Sequence, residues 1–128
     1  MRKLMVLVGL ARLLVVVSAG VGLAVTKTCK GNPCNGTDNR NILHERNGRL
    51  KDAIFGYRGR DDLDANNFFN EKDRLYGSDQ GDKLLANDQD SRDVLKGGRG
   101  HDRCYGDKGD RFLSCEVKST SVADAADL

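Results

Sequence analysis

The chain contains no tryptophan, one proline (Pro33), and three glutamates against sixteen aspartates, and aromatic residues make up 5% of its 128 residues. Each shortage excludes something. With so few large rings in roughly 100 residues of mature chain, no large apolar core can form, and a small one calls for a staple or a metal. The scarcity of glutamate beside abundant aspartate removes a good helix former and supplies a short carboxylate suited to turns and oxygen-ligand sites. Residues 36–116 show neither a helical periodicity nor a heptad. No Ser-His-Asp order, nucleophile elbow or phosphate loop is present, so the chain is expected not to be an enzyme.

Long apolar runs are also missing, apart from one at the start. Residues 1–25 read "MRKLMVLVGLARLLVVVSAGVGLAV", with Arg2 and Lys3 ahead of an apolar stretch that ends in small residues. That is the layout of a secretory signal peptide, expected over residues 1–24 with cleavage after Ala24, Ala19 being the other candidate. An uncleaved anchor is the competing reading, against which Arg12 splits the run. Removing Arg2, Lys3 and Arg12 takes the net charge from +2 to −1, with 18 basic residues left against 19 acidic ones. The remaining chain is expected to be secreted, off the membrane, and not a nucleic-acid binder, since no basic stripe remains to collect phosphates. A protein or surface-polysaccharide partner is left unspecified.

The four cysteines, Cys29, Cys34, Cys104 and Cys115, all follow the leader and so fall where disulfides form. Three pairings are possible. Cys29 with Cys34 and Cys104 with Cys115 are expected, each closing a local loop at one end of the domain. Zinc is the alternative, but only Cys29 and Cys34 approach its usual ligand spacing.

What the chain has in quantity is a repeated Asp-x-apolar unit. The apolar members are Leu43, Ile54, Leu63, Leu75, Leu84, Leu95, Cys104 and Leu113, and two residues before them stand Asn41, Asp52, Asp61, Asp73, Asp82, Asp93, Asp102 and Arg111. The intervals are 11, 9, 12, 9, 11, 9 and 9 residues, so longer and shorter steps alternate. Such an alternation predicts an all-β fold: a parallel β-roll, or two-sheet β-solenoid, of about four coils with two short strands each. A disordered Gly/Asp-rich segment would carry no such phase. The expected organisation is a signal peptide (1–24), an N-terminal cap with Cys29–Cys34 (25–35), the roll (36–116) and a disordered tail (117–128).

The loops sort into two sides. "GYRGRD" (56–61), "GSDQGD" (77–82) and "GGRGHD" (97–102) align without gaps and share glycine at position one and aspartate at position six. The other side, "HERNGRLKD", "DANNFFNEKD", "LANDQDSRD" and "YGDKGD", varies in length and glycine content. Glycines let loop carbonyls turn toward a common point, and aspartates add carboxylate oxygens. Calcium takes about six to eight such hard oxygen ligands. The regular side is therefore the expected calcium side.

In these features residues 36–116 resemble the hemolysin-type, or RTX, calcium-binding repeat, G-G-x-G-x-D-x-U-x, where U is a large apolar residue. "GGRGHDRCY" at 97–105 fits every fixed position. The resemblance implies a calcium-bound β-roll with Ca2+ between stacked loops. Its implied ligands are Asp61, Asp82 and Asp102, together with Asp79 and the loop carbonyls around Gly56, Gly59, Gly77, Gly97 and Gly100. This chain departs from the pattern at Gln80, at Arg58, Arg60 and Arg99, and at Arg111, where a last aspartate is expected. On the irregular side Asp73 and Asp93 are weaker metal candidates, the competing role being an aspartate that caps its turn. Two other readings share these residues. One is a disulfide-stapled interaction or adhesion module independent of calcium. The other is a minimal hydrolase using His101 with Asp102 or Asp82, for which no nucleophile is visible.

Overall fold

The computed structural model describes residues 24–30, 32–45, 53–66 and 71–120. Nearly all of the expected leader, and residues 121–128 of the expected tail, lie outside the described residues. Eleven short strands and no helix occur among the described residues. Strands β1 (Val25–Cys29), β3 (Asn41–Glu45), β5 (Asp62–Asp64), β7 (Lys83–Ala86), β9 (Arg103–Gly106) and β11 (Val117–Ser119) form one sheet. A second sheet holds β2 (Cys34–Asn35), β4 (Ala53–Arg58), β6 (Arg74–Asp79), β8 (Val94–Arg99) and β10 (Arg111–Leu113). Every pairing is parallel, and the chain alternates between the sheets, giving a solenoid of about four turns.

The reason is visible strand by strand. Strands β3 to β8 each carry a wholly buried aliphatic between two less buried neighbours, as in the alternating burial of β3 and β7. Parallel register then stacks like on like: Leu43, Leu63, Leu84 and Cys104 in one sheet face Cys34, Ile54, Leu75, Leu95 and Phe112 in the other. Leu43, Ile54, Leu63, Leu75, Leu84 and Leu95 are wholly buried, each contributing about 1.5–3 kcal/mol of burial.

The last rung differs from expectation. Phe112, not Leu113, pairs with Leu95, and Leu113 pairs with Lys96 and is 38% exposed. Accordingly Asp110, not Arg111, holds the aspartate position of that coil, accepting a hydrogen bond from the Asp93 amide at 3.0 Å. The cause is the short connection 107–110 between β9 and β10, which brings the chain back to the second sheet one residue early.

Both expected disulfides close, Cys29–Cys34 and Cys104–Cys115, with Cα separations of 5.5 and 6.0 Å. In the chain-entropy view such loops stabilise by about 2–3 kcal/mol each. The strand Val117–Ser119 pairs with β9 and extends the first sheet past residue 116. Loops entering the first sheet are the regular ones, 59–61, 80–82 and 100–102; those leaving it are the irregular ones. The roll thus has two edges, and each collects one kind of loop.

Candidate metal centre

On the regular edge the position-six side chains Asp61, Asp82 and Asp102 point into the roll and are at most 3% exposed. Each uses its Oδ1 as a rung. Asp61 accepts from the Asn41 amide at 2.7 Å, Asp82 from the Asp61 amide at 2.8 Å, and Asp102 from the Asp82 amide at 2.8 Å. Glu116 ends the ladder by accepting from the Asp102 amide at 2.7 Å, a bond that holds its carboxyl below the usual range. The other oxygen, Oδ2, of Asp61, Asp82 and Asp102 is buried without a hydrogen-bond partner in the protein.

Those oxygens also explain the first glycine of each loop. A methyl group at Gly56, Gly77 or Gly97 would collide with the carboxylate of Asp61, Asp82 or Asp102 respectively, and at Gly97 also with the Ser114 carbonyl oxygen. Position one is glycine for space as well as for loop geometry. Replacing Gly97 by alanine is expected to cost about 1–3 kcal/mol, as overpacking does, and to lower the urea midpoint; an unchanged midpoint would refute this steric account. Positions two and four stack in a left-handed backbone conformation. Gly98 and Gly100 adopt φ of 113° and 135°, and Tyr57, Ser78 and Gln80 are held at 75°, 89° and 78° although they are not glycine. Gly59 shares that conformation. Asp79 stands apart from the ladder, half-buried at the end of β6 beside Arg99.

The irregular edge is where carboxylates converge. Asp73, Asp88 and Asp93 place ligand oxygens within 4.8 Å of one another, and so do Asp90, Asp93 and Asp110. Asp93 belongs to both groups. It also serves as a rung, its Oδ1 accepting from the Asp73 amide at 2.8 Å, while its Oδ2 and those of Asp88 and Asp90 lie buried with no protein partner. Local hydrogen bonds shape the loop: the Asp88 Oδ1 accepts from the Asp90 amide at 3.2 Å, the Asp90 Oδ1 from the Arg92 amide at 3.0 Å, and Asp107 accepts from the Gln89 amide at 2.7 Å.

Asp88, Asp90, Asp93 and Asp110 take part in no ion pair among the described residues. Among the described residues the one ion pair is His44 with Asp64, at 3.4 Å on neighbouring strands. Burial, reinforced by the surrounding Asp88, Asp90 and Asp110, pushes Asp93 up to about 8. Burial first, and then Asp90, Asp73 and Asp107, push Asp88 up to about 7. Burial raises Asp82 to about 7, with Asp61, Asp102 and Asp79 adding to it, and also raises Asp61, Asp102 and Asp110. Carboxylates so placed must take a proton or a cation. An all-oxygen, anionic donor set with free buried oxygens fits calcium rather than zinc or copper.

Thus the rungs Asp61, Asp82 and Asp102 stand in a row as expected, whereas the convergent groups use Asp73 and Asp93 together with Asp88, Asp90 and Asp110. Loop glycine content did not point to the last three. The signal that does is spacing: Asp-x-Asp-x-x-Asp at 88–93 facing Asp-x-x-Asp at 107–110.

The family model of the RTX calcium-binding nonapeptide repeat matches residues 86–113, in four copies. That stretch contains both Asp93 groups except Asp73, and the cleanest regular loop, 97–102. No curated protein and no solved structure matches the chain.

Proposed function

We propose, starting from the RTX calcium-binding repeat carried by residues 86–113, that the protein is a secreted calcium-binding β-roll rather than an enzyme. Calcium between stacked loops stabilises it. The observation that carries this reading is the wholly buried Asp93, which has an unpartnered oxygen, groups with four other aspartates and makes no ion pair among the described residues. On the irregular edge the ligands are Asp73, Asp88, Asp90, Asp93 and Asp110. On the regular edge they are Asp61, Asp82 and Asp102 with the neighbouring loop carbonyls. Calcium neutralises carboxylates that otherwise repel one another across coils. The two disulfides and the repeat type agree with an extracellular setting.

The test is a calorimetric calcium titration of the chain with its disulfides intact, read beside circular dichroism. Binding in the range of about 10⁻⁴ to 10⁻³ M, with a higher melting temperature in calcium than in chelator, is expected. No heat, together with equal melting in millimolar calcium and in chelator, would leave a disulfide-stapled roll independent of calcium.

A further inference from the structure

Alternation that turns each position-six aspartate inward turns its two neighbours outward. Arg60 and Asp62 flank Asp61, Gly81 and Lys83 flank Asp82, His101 and Arg103 flank Asp102, and Arg40 holds the matching place one coil earlier. These residues line a groove of about 530 Å³ that runs across the coils where the regular loops enter the first sheet. Gly81, with no side chain, lies on that line between Arg60 and His101. Four permanent cations, Arg40, Arg60, Lys83 and Arg103, thus surround it, with Asp62 the one outward acid; Asp61 and Asp82 turn their Oδ1 atoms inward to backbone amides.

None of the four cations is neutralised by another described residue. No ion pair involves them among the described residues, and Asp62, though in register with Lys83, makes none. Lys83 is in register with Arg103, so two like charges stand side by side on adjacent parallel strands. Strands in a sheet lie about 4.7–4.9 Å apart, and like charges directly opposite destabilise. A ligand that carries negative charges in a line along the coil axis relieves this repulsion.

We propose that the groove binds an acidic polysaccharide, laid along the coil axis so that successive carboxylate- or sulfate-bearing sugars meet successive coils. The cations are spread over four coils rather than converging on one point, which suits a linear polymer better than a single small anion. Among the described residues no Phe, Tyr or Trp lines the groove and His101 is its single ring, so it lacks the row of stacking platforms on which single-stranded nucleic acids rely. The cations are not among the carboxylates assigned to calcium, but Asp61 and Asp82, which are, also line the groove, so calcium is held fixed in the test.

Affinity electrophoresis of the full chain, disulfides intact and at fixed calcium, tests it with dextran sulfate, polygalacturonate, neutral dextran and a single-stranded DNA oligonucleotide in the gel. Retardation by the two acidic polysaccharides and not by neutral dextran is expected, weakening as salt is raised. The double variant Lys83→Ala/Arg103→Ala should bind at least about tenfold more weakly, and Arg74→Ala/Lys96→Ala on the other sheet should bind as the parent does. Since the first variant removes a like-charge pair, its melting temperature should not fall; Lys83→Gln/Arg103→Gln, which keeps the stems, replaces it if truncation unfolds the chain. Equal weakening by both alanine pairs, retention on neutral dextran, or stronger retardation by DNA than by either polysaccharide would overturn the proposal.

Discussion

Changing Asp93 to asparagine is expected to lower calcium affinity at least about tenfold, equivalent to about 1.4 kcal/mol, without unfolding the roll. Asp93 is the one residue common to both carboxylate groups, so removing its charge disables both at once. Its other duty, accepting the Asp73 amide, survives in asparagine because the side-chain oxygen is retained. In chelator the variant should melt no lower than the parent, since one member of a mutually repelling cluster has been neutralised. Asp93→Ala separates the two duties: it loses the calcium site and also strands the buried Asp73 amide, at a cost of about 1–3 kcal/mol. Titration calorimetry with melting curves in chelator and in calcium reads both quantities. An Asp93→Asn chain that binds calcium as the parent does would move the sites wholly to the regular edge.

The second large effect is a reversal of pH dependence. A carboxyl whose pKa is raised by folding holds its proton more tightly in the folded chain. Its contribution is fully present below the ordinary value of 3.8 and is lost as pH rises through about 7 for Asp82 and Asp88 and about 8 for Asp93. In chelator the melting temperature should therefore fall between pH 5 and pH 8.5, by on the order of 10 °C for a domain of this size. In excess calcium it should rise over the same interval, because the cation replaces the protons and binds best to ionised ligands. Parallel curves in the two buffers would mean that the buried aspartates are not where calcium acts.

Much of this architecture is legible in the sequence, for a definite reason. A coil two strands wide admits one inward aliphatic per strand, so Leu43 through Leu95 recur in fixed phase and disclose the period and the two edges. The cysteine pairs are legible for a related reason, since Cys104 occupies an inward position and Cys115 lies within reach beyond the last coil. The final rung is harder to read because Phe112 and Leu113 are adjacent and both apolar; only the length of the connection 107–110 decides between them. The convergent aspartates are hidden for another reason. Asp88, Asp90 and Asp110 meet across coils, at separations in the chain that no local motif records, and their loop lacks the glycines that draw attention to the opposite edge. The first glycine of each regular loop reads from sequence as freedom of backbone conformation, whereas the structure adds a steric demand set by an aspartate five residues later.

The ladder of rungs has a direction. On the regular edge Asp61, Asp82 and Asp102 each serve the amide of the coil before, and the last amide of that ladder, that of Asp102, is met by Glu116. A chain made from its N-terminus therefore emerges with each coil incomplete until the next arrives, and the whole column stays open until residue 116 closes it. Completion is signalled from the C-terminal end, so a chain shortened before Glu116 would retain its repeats and its leucines and still lack its final acceptor.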